Sequence, residues 1–159
     1  MLVSEERYTN LQHLARGGRK EILTARYAAM GLEVALATIS AESEPAVVHS
    51  FVREARLTAA AQAPGIVPIL DLGVLPDGRP SFPMPWLQGR ALTKYLTDPP
   101  TLALRDAFVL FRHVLEILSV AHQRDVVHLD VSPENILVQT SGYPLVLDWG
   151  LAKVLDERC

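Results

Sequence analysis

The fold of this chain is decided by residues Val127–Lys153, which read VHLDVSPENILVQTSGYPLVLDWGLAK. Two short apolar runs, Ile136–Gln139 and Leu145–Leu147, flank the turn-forming residues Thr140–Tyr143. Aliphatic runs on either side of a turn that contains Ser and Gly are typical of a β-hairpin, so we predict one here. The polar residues around this hairpin are the ones that point to a chemistry.

Three polar side chains stand beside the predicted hairpin. Asp130 and Asn135 precede it, five residues apart, and Asp148 follows it in the sequence Asp-Trp-Gly. Two acids and an amide at turns around one hairpin can converge on a cation. Mg²⁺ prefers one or two carboxylates together with phosphate oxygens, and this set supplies ligands of that kind.

The residues before this stretch predict a largely helical segment. Residues 102–124 carry the strongest helical periodicity of the chain, because their apolar side chains recur three and four positions apart. A short helix is expected at Leu92–Leu96, and Gln88–Arg90 is expected to form a hinge between two halves. The apolar stripe of the long helix comprises Leu104, Ala107, Phe108, Phe111, Val114, Leu115, Leu118 and Ala121.

The first half of the chain reads as five short strands and one helix. A helical period over residues 45–62 predicts the helix, with Pro45 in its first turn and Pro64-Gly65 after its end. The strands are predicted at residues 8–15, 21–28, Glu33–Ile39, Ile66–Leu75 and Pro80–Leu87.

The motifs of the second half resemble those of the eukaryotic-type protein kinases, in particular the bacterial Ser/Thr branch. The catalytic loop of that family reads His-Arg-Asp-Leu-x-x-x-Asn, and its metal motif reads Asp-Phe-Gly. This chain has His128-Leu-Asp130 followed by Asn135, and then Asp148-Trp-Gly, in the same order. The run Pro133–Leu137 matches the bacterial branch especially well.

The resemblance extends over residues 8–153 and implies the fold. The expected class is α+β and protein-kinase-like. We expect a small N-lobe at residues 1–87, with five strands and one helix, and a partial helical C-lobe at residues 88–159 that holds the catalytic loop and the metal motif.

The resemblance also implies a site for ATP and Mg²⁺. Asp130 would orient or deprotonate a substrate hydroxyl, while Asn135 and Asp148 would hold the metal ion. The residues implied in cofactor binding come from the glycine-rich loop, the second and third strands, the helix, the segment that precedes the predicted hinge, and the hairpin. They are Gly17, Ile22, Ala35, Glu54, Met84, Pro85, Leu87 and Leu137.

Several positions depart from the family pattern. Ala37 stands where the family has its ATP lysine, Leu129 replaces the arginine before the catalytic aspartate, and Ser132 replaces a lysine two residues after it. Losing one preorganised charge contact costs on the order of 10²–10³ in rate. The departures therefore favour a pseudokinase that binds ATP and Mg²⁺ with little or no phosphotransfer.

Lys20 supports an alternative. It occupies the position of the third glycine of the loop. In the with-no-lysine kinases, a lysine at that position replaces the missing strand lysine. Lys20 would then pair with Glu54 and serve as a catalytic residue of an active minimal Ser/Thr kinase. The other interpretation is that Arg19 and Lys20 are solvated turn residues.

The length of the chain points to a protein partner. Nine residues follow Gly150, so the activation segment and the Ala-Pro-Glu motif of the family do not appear. The helix at 102–124 should therefore leave an apolar face open, and such a face marks a partner surface or an incomplete chain. We expect a protein partner or a homodimer; a fragment of a longer gene product is a further alternative.

Composition excludes several other functions. Lys and Arg number 15 and Asp and Glu number 18, giving a net charge of -3 that argues against a nucleic-acid partner. A single cysteine, Cys159, allows no internal disulfide and no Cys-rich zinc site. The N-terminus lacks the pattern of a signal peptide, and no apolar run is long enough for a membrane span, so a cytoplasmic location is the default expectation.

Overall fold

The computed structural model describes residues 7–18, 20–99 and 101–155. These residues form two compact units. The first unit contains the described residues up to Val52 together with Ile69–Leu87. The second contains Arg53–Pro68 together with the described residues from Gln88 onward.

The first unit is built on a five-stranded antiparallel sheet, which confirms the prediction. Its strands are β1 (Tyr8–Gly17), β2 (Lys20–Tyr27), β3 (Leu32–Thr38), β4 (Gly73–Val74) and β5 (Pro80–Pro85). They lie in the order β1-β2-β3-β5-β4. Aliphatic side chains that alternate along β2 and β3 form a core on one face of the sheet; its buried members are Leu23, Ala25, Val34, Leu36 and Leu75.

The strand predicted at Ile66–Leu75 is wrong over most of its length. Only Gly73–Val74 pairs with β5. Leu70 donates one backbone hydrogen bond to the Pro83 carbonyl, at 2.9 Å. Because a proline has no N–H, Pro83 cannot return a second bond, and a continuous ladder along this edge of β5 is not possible.

The helix predicted at residues 45–62 is confirmed as α1, Pro45–Ala61. In the first unit, the Phe51 ring stacks on the ring of Phe82, with centroids 4.8 Å apart. The second half of α1, from Arg53, groups with the second unit. There Leu57 and Ala61 join the hydrophobic core of that unit.

The second unit contains the predicted hairpin and the predicted helices. The short and the long helix are α2 (Leu92–Thr97) and α3 (Leu104–His122). The strands are β6 (Gly89–Ala91), β7 (Val126–Val127), β8 (Ile136–Gln139), β9 (Pro144–Val146) and β10 (Lys153–Val154). β8 and β9 pair as the hairpin, and β7 pairs with β10.

The predicted hinge at Gln88–Arg90 is in part a strand. Gly89 and Arg90 belong to β6, which pairs with β8 to give the sheet order β6-β8-β9. A Cβ atom on Gly89 would lie 2.7 Å from the carbonyl oxygen of Val138. Glycine therefore permits the close approach of β6 to the hairpin, a contact that the sequence pattern did not indicate.

Helix α3 has one buried and one exposed apolar face. The buried face packs into the core of the second unit through Leu110, Val114, Ile117 and Ala121. The opposite face leaves Leu104, Phe108, Phe111 and Leu115 exposed, with Phe108 at 68%. The open apolar face expected from the sequence is therefore present in the described part of the chain.

Two features are absent from the described residues. No helix there is both long and apolar enough for a membrane span. The same residues contain no group of three or more His, Cys, Asp or Glu side chains that could hold a metal ion. Arg19 and Cys159, which the sequence analysis discussed, lie outside the described residues.

Candidate functional site

The loop between β7 and β8 carries Asp130 and Asn135 in direct contact. The side-chain amide nitrogen of Asn135 donates to the backbone carbonyl of Asp130, at 2.9 Å, and to its carboxylate oxygen Oδ2, at 3.1 Å. A 3₁₀ turn at Pro133–Asn135 brings the chain back for this contact. Because both bonds use the amide nitrogen, the amide oxygen of Asn135 is the atom left to meet a cation.

His128 connects this loop to the metal motif. Its ring is 1% exposed. Nε2 lies 2.9 Å from the carbonyl oxygen of Leu147, and Nδ1 accepts the backbone N–H of Asp130 at 3.2 Å. Since a carbonyl can only accept, the proton of the neutral ring is on Nε2. These contacts give His128 a structural role, because its buried ring bonds the backbone on both sides.

Trp149 anchors the metal motif in the core. It is 1% exposed, and its Nε1–H donates to the Val146 carbonyl at 3.2 Å. Its ring meets that of His128 edge to face, with centroids 4.5 Å apart. Trp149 is therefore a core residue. The neighbouring Asp148 is exposed to solvent.

Asn135 precedes strand β8 and Asp148 follows strand β9, so both lie at the same end of the hairpin. The backbone N–H of Leu147 donates to the Asn135 carbonyl at 2.8 Å, and Asp148 is the next residue. The Oδ1 atom of Asp148 accepts the N–H of Gly150 at 3.3 Å, which turns the chain around the carboxylate. The backbone of Asn135 therefore lies beside that of Leu147, one residue before Asp148, and the approach of the two side chains to a shared ion stays a prediction.

Left-handed backbone occurs at both motifs. Leu129, between His128 and Asp130, has φ 67°, and Asp148 has φ 56°. Such a conformation costs an L-residue roughly 1–2 kcal/mol. A bulky leucine is a poor choice for it, whereas Asp tolerates it better. Strain of this kind persists where the surrounding structure imposes it, and it clusters at functional sites.

Glu54 lies beside the metal motif. It is 8% exposed, so it is not a solvated surface charge of the helix. A Cβ atom on Gly150 would lie 3.3 Å from its Oε2 and 3.0 Å from Oδ1 of Asp148. The glycine therefore leaves room for two carboxylates at one turn of the chain.

One face of the sheet collects the residues predicted to surround adenine and phosphate. Ile22 pairs directly with Ala37, and Ala35 pairs with Met84. Directly paired residues present their side chains on the same face. Lys20 precedes Ile22 by two residues and shares that face, because side chains alternate along a strand. The cofactor roles of these residues stay predictions.

The other predicted cofactor residues lie at the ends of strands or in the hairpin. Gly17 ends β1, and a Cβ atom there would meet nothing within 4 Å. Pro85 ends β5 and offers a carbonyl but no N–H. Leu87 is the last residue of that segment of the first unit, and Leu137 lies half-buried in β8 of the second. Their roles also stay predictions.

Arg53 was not predicted from the sequence to be a site residue. Its guanidinium nitrogen Nη2 donates to the backbone carbonyl of Ala152 at 3.1 Å, across 99 residues of sequence. An arginine on an amphipathic helix ordinarily reads as a solvated charge. Its place directly before Glu54 was the one available signal.

Comparisons with known proteins agree with this geometry. The family model described as protein kinase domain matches residues 8–159. The DNA damage-responsive serine/threonine-protein kinase RqkA of Deinococcus radiodurans is 34% identical over 154 residues, covering 95% of this chain and 23% of that protein. The serine/threonine-protein kinase PknA of Mycobacterium tuberculosis is 32% identical over 156 residues, covering 94% of this chain and 36% of that protein.

A third relative is similar to nearly the same extent. The probable serine/threonine-protein kinase PknB of Lactococcus lactis is 28% identical over 155 residues, covering 96% of this chain and 25% of that protein. The chain thus spans about a quarter to a third of the length of these curated relatives.

Proposed function

Because the chain belongs to the protein kinase family, we propose that it is a pseudokinase-type module that binds ATP with Mg²⁺, carries out little or no phosphotransfer, and acts by binding another protein. ATP and Mg²⁺ are abundant in the cytoplasm, and we place the module there as part of the same proposal. The resemblance to serine/threonine kinases makes a hydroxyl the acceptor that any remaining transfer would use.

The observation that carries the proposal is the linked geometry of the catalytic loop and the metal motif. His128 bonds the backbone of both, and the Leu147–Asn135 backbone bond fixes the end of the hairpin from which Asp148 leaves. Asp130 orients the Asn135 amide. These bonds fix the backbone from which the Asn135 amide and the exposed Asp148 carboxylate project, at the cost of left-handed backbone at Asp148.

The donor set fits a magnesium–nucleotide complex. Mg²⁺ takes one or two protein carboxylates and completes its six ligands with phosphate oxygens and water. Asp148 and Asn135 would hold it, and the bound ion would neutralise phosphate charge.

Low phosphotransfer follows from missing cations. At Ala37, which is 1% exposed, a methyl group stands where the family lysine would contact phosphates. Leu129 and Ser132 carry no charge either. Phosphoryl transfer depends almost entirely on positioning and charge stabilisation, so loss of these contacts lowers the rate more than it lowers binding.

A thermal-shift titration tests the nucleotide site. ATP should raise the melting temperature saturably and by more with Mg²⁺ than without it, since a ligand at 100 times its Kd stabilises by about 2.7 kcal/mol. Asp148→Asn should remove the Mg²⁺-dependent part. Glu134→Gln, an equal charge change at an exposed residue beside Asn135, is the control. No shift at millimolar ATP would reject nucleotide binding.

The alternative, an active minimal Ser/Thr kinase, is favoured by the position of Lys20. Lys20 lies on the same face of the sheet as Ala37, two residues along β2 from Ile22, which is the partner of Ala37. A radiolabel transfer assay decides between the two functions. Transfer that both Lys20→Met and Asp130→Asn abolish would establish the enzyme, whereas absence of transfer together with retained ATP binding supports the pseudokinase.

The exposed face of α3 supports the protein-binding part of the proposal. Leu104, Phe108, Phe111 and Leu115 follow one another at spacings of four, three and four residues. That spacing is the heptad pattern with which two helices pack. Beside the stripe, α2, α3 and residues 131–133 line an apolar groove of about 450 Å³. We propose a second copy of the chain as the occupant, because the stripe of one helix is complementary to itself.

Solution mass tests this partner. Light scattering over a concentration series should show a dimer for the wild type and a monomer for Phe108→Ser. Val109→Ser, at an exposed neighbour outside the stripe, should leave the dimer intact. A wild-type monomer at every concentration would reject the homodimer and leave a different protein as the partner.

A further inference from the structure

The metal motif continues into a tight turn, Asp148–Ala152, that is held from two sides. Within the turn, the N–H of Ala152 donates to the Trp149 carbonyl at 3.0 Å, and the N–H of Gly150 donates to Asp148 Oδ1 at 3.3 Å. Trp149 and Ala152 are buried at 1% and 0% exposure, while Asp148 is exposed. The two buried residues fix one side of the turn to the core of the second unit.

Successive residues of α1 contact the other side of this turn. Arg53 Nη2 donates to the Ala152 carbonyl at 3.1 Å. Glu54 Oε2 lies near Gly150, since a Cβ atom there would be 3.3 Å from it. Helix α1 therefore binds the last residue of the turn, Ala152, by a charged hydrogen bond and places the buried Glu54 carboxylate beside Gly150.

We propose that Arg53 is a positioning residue for Asp148. Its guanidinium fixes the Ala152 carbonyl, which closes the turn and holds the Asp148 carboxylate in its exposed, left-handed position. The consequence for the metal rests on the proposed function, in which Asp148 holds Mg²⁺; the closing of the turn does not depend on it.

Two physical arguments make Arg53 suited to this role. A carbonyl of a fully buried residue needs a hydrogen-bond partner, and a guanidinium supplies a charge-assisted donor. The turn also has to oppose the cost of left-handed backbone at Asp148, whose φ is 56°. Without the arginine, the buried Trp149 and Ala152 keep the segment in place, but the Asp148 carboxylate at the start of the turn loses its fixed direction.

Hydrogen exchange of the nucleotide-free protein tests the closing of the turn. In Arg53→Gln, amides of residues 149–153 should exchange about tenfold faster than in the wild type, as expected from loss of one charged hydrogen bond. Arg56→Gln, at an exposed arginine of the same helix, should leave them unchanged, and Arg53→Lys should restore part of the protection. Amides of α3 serve as the reference for global unfolding.

A second measurement, of ATP affinity with Mg²⁺ and with EDTA, tests the consequence for the metal. Arg53→Gln should lower the Mg²⁺-dependent affinity and leave the Mg²⁺-free affinity as it is. Equal exchange in Arg53→Gln and Arg56→Gln would overturn the proposal, and so would faster exchange in the turn with an unchanged Mg²⁺-dependent affinity. A wild type that binds no ATP overturns the proposed function, and the exchange comparison then still decides whether Arg53 closes the turn.

Discussion

The side-chain amide of Asn135 donates to the carboxylate of Asp130, with Nδ2 and Oδ2 3.1 Å apart. This contact joins the residue expected to face a substrate hydroxyl to a residue expected to hold Mg²⁺. We therefore expect Asp130 to influence metal binding even though it is not a proposed metal ligand.

Two substitutions of Asp130 separate its charge from its hydrogen bond. Asp130→Asn keeps an oxygen that accepts from Asn135, so we expect the Mg²⁺-dependent ATP affinity to be retained. Asp130→Ala removes the acceptor and should weaken that affinity by about three- to tenfold, the effect of one hydrogen bond. Titration calorimetry measures both; equal affinities for the two variants would contradict the proposed role of the contact.

Replacing His128 should destabilise the second unit. His128→Ala removes two hydrogen bonds to buried or half-buried backbone and leaves a cavity beside Trp149. We expect a loss of about 3–4 kcal/mol in the free energy of unfolding. Urea denaturation measures it, with His49→Ala, at an exposed histidine of α1, as the control. Similar values for the two variants would rule out the bridging role.

Substituting Gly65 and Gly142 distinguishes the cost of backbone strain from the cost of steric overlap. Both have a left-handed φ, of 93° and 83°. A Cβ atom at Gly65 would lie 2.2 Å from Cδ1 of Ile117, whereas at Gly142 nothing lies within 4 Å. We expect Gly142→Ala to cost about 1 kcal/mol and Gly65→Ala about 2–4 kcal/mol in urea denaturation. Equal costs would mean that α3 does not pack as closely as described.

Relieving strain at Leu129 should stabilise the protein. Asn adopts left-handed backbone more readily than Leu, so Leu129→Asn should gain roughly 0.5–1 kcal/mol. Leu151→Asn removes a similarly exposed leucine whose φ is not positive and should show no gain. The melting temperatures of the two variants test this prediction. A gain in both would mean that removing an exposed leucine, and not relief of strain, stabilises the protein.

The sequence predicted those parts of the fold whose pattern is local. The hairpin around residues 140–143, helix α1 and helix α3 each follow from periodicity and turn residues within a short window. The strand at Ile66–Leu75 failed because its partner strand contains Pro83, whose missing N–H matters only once the pairing of the two strands is known. Strand β6 was missed for a similar reason, since the need for a glycine at position 89 comes from Val138.

The candidate site, too, was predicted only where its pattern is local in sequence. Asp130, Asn135 and Asp148 were identified from their spacing, and the hairpin brings them to one end. Arg53 was not identified, because its partner is a backbone carbonyl 99 residues away and any residue type can supply one. Left-handed backbone at Leu129 was not predicted either, because leucine rarely adopts this conformation.

The central claim is that Asp148 and Asn135 together hold a divalent ion that ATP brings to the site. Titration calorimetry with ATP, in excess Mg²⁺ and in EDTA, tests it most directly. The account predicts that the wild type and Glu134→Gln bind ATP at least about tenfold more tightly with Mg²⁺, a difference of about 1.4 kcal/mol. Asp148→Asn and Asn135→Leu should lose this difference. A wild type whose affinity is the same with and without Mg²⁺, or variants that keep the full difference, would contradict the claim.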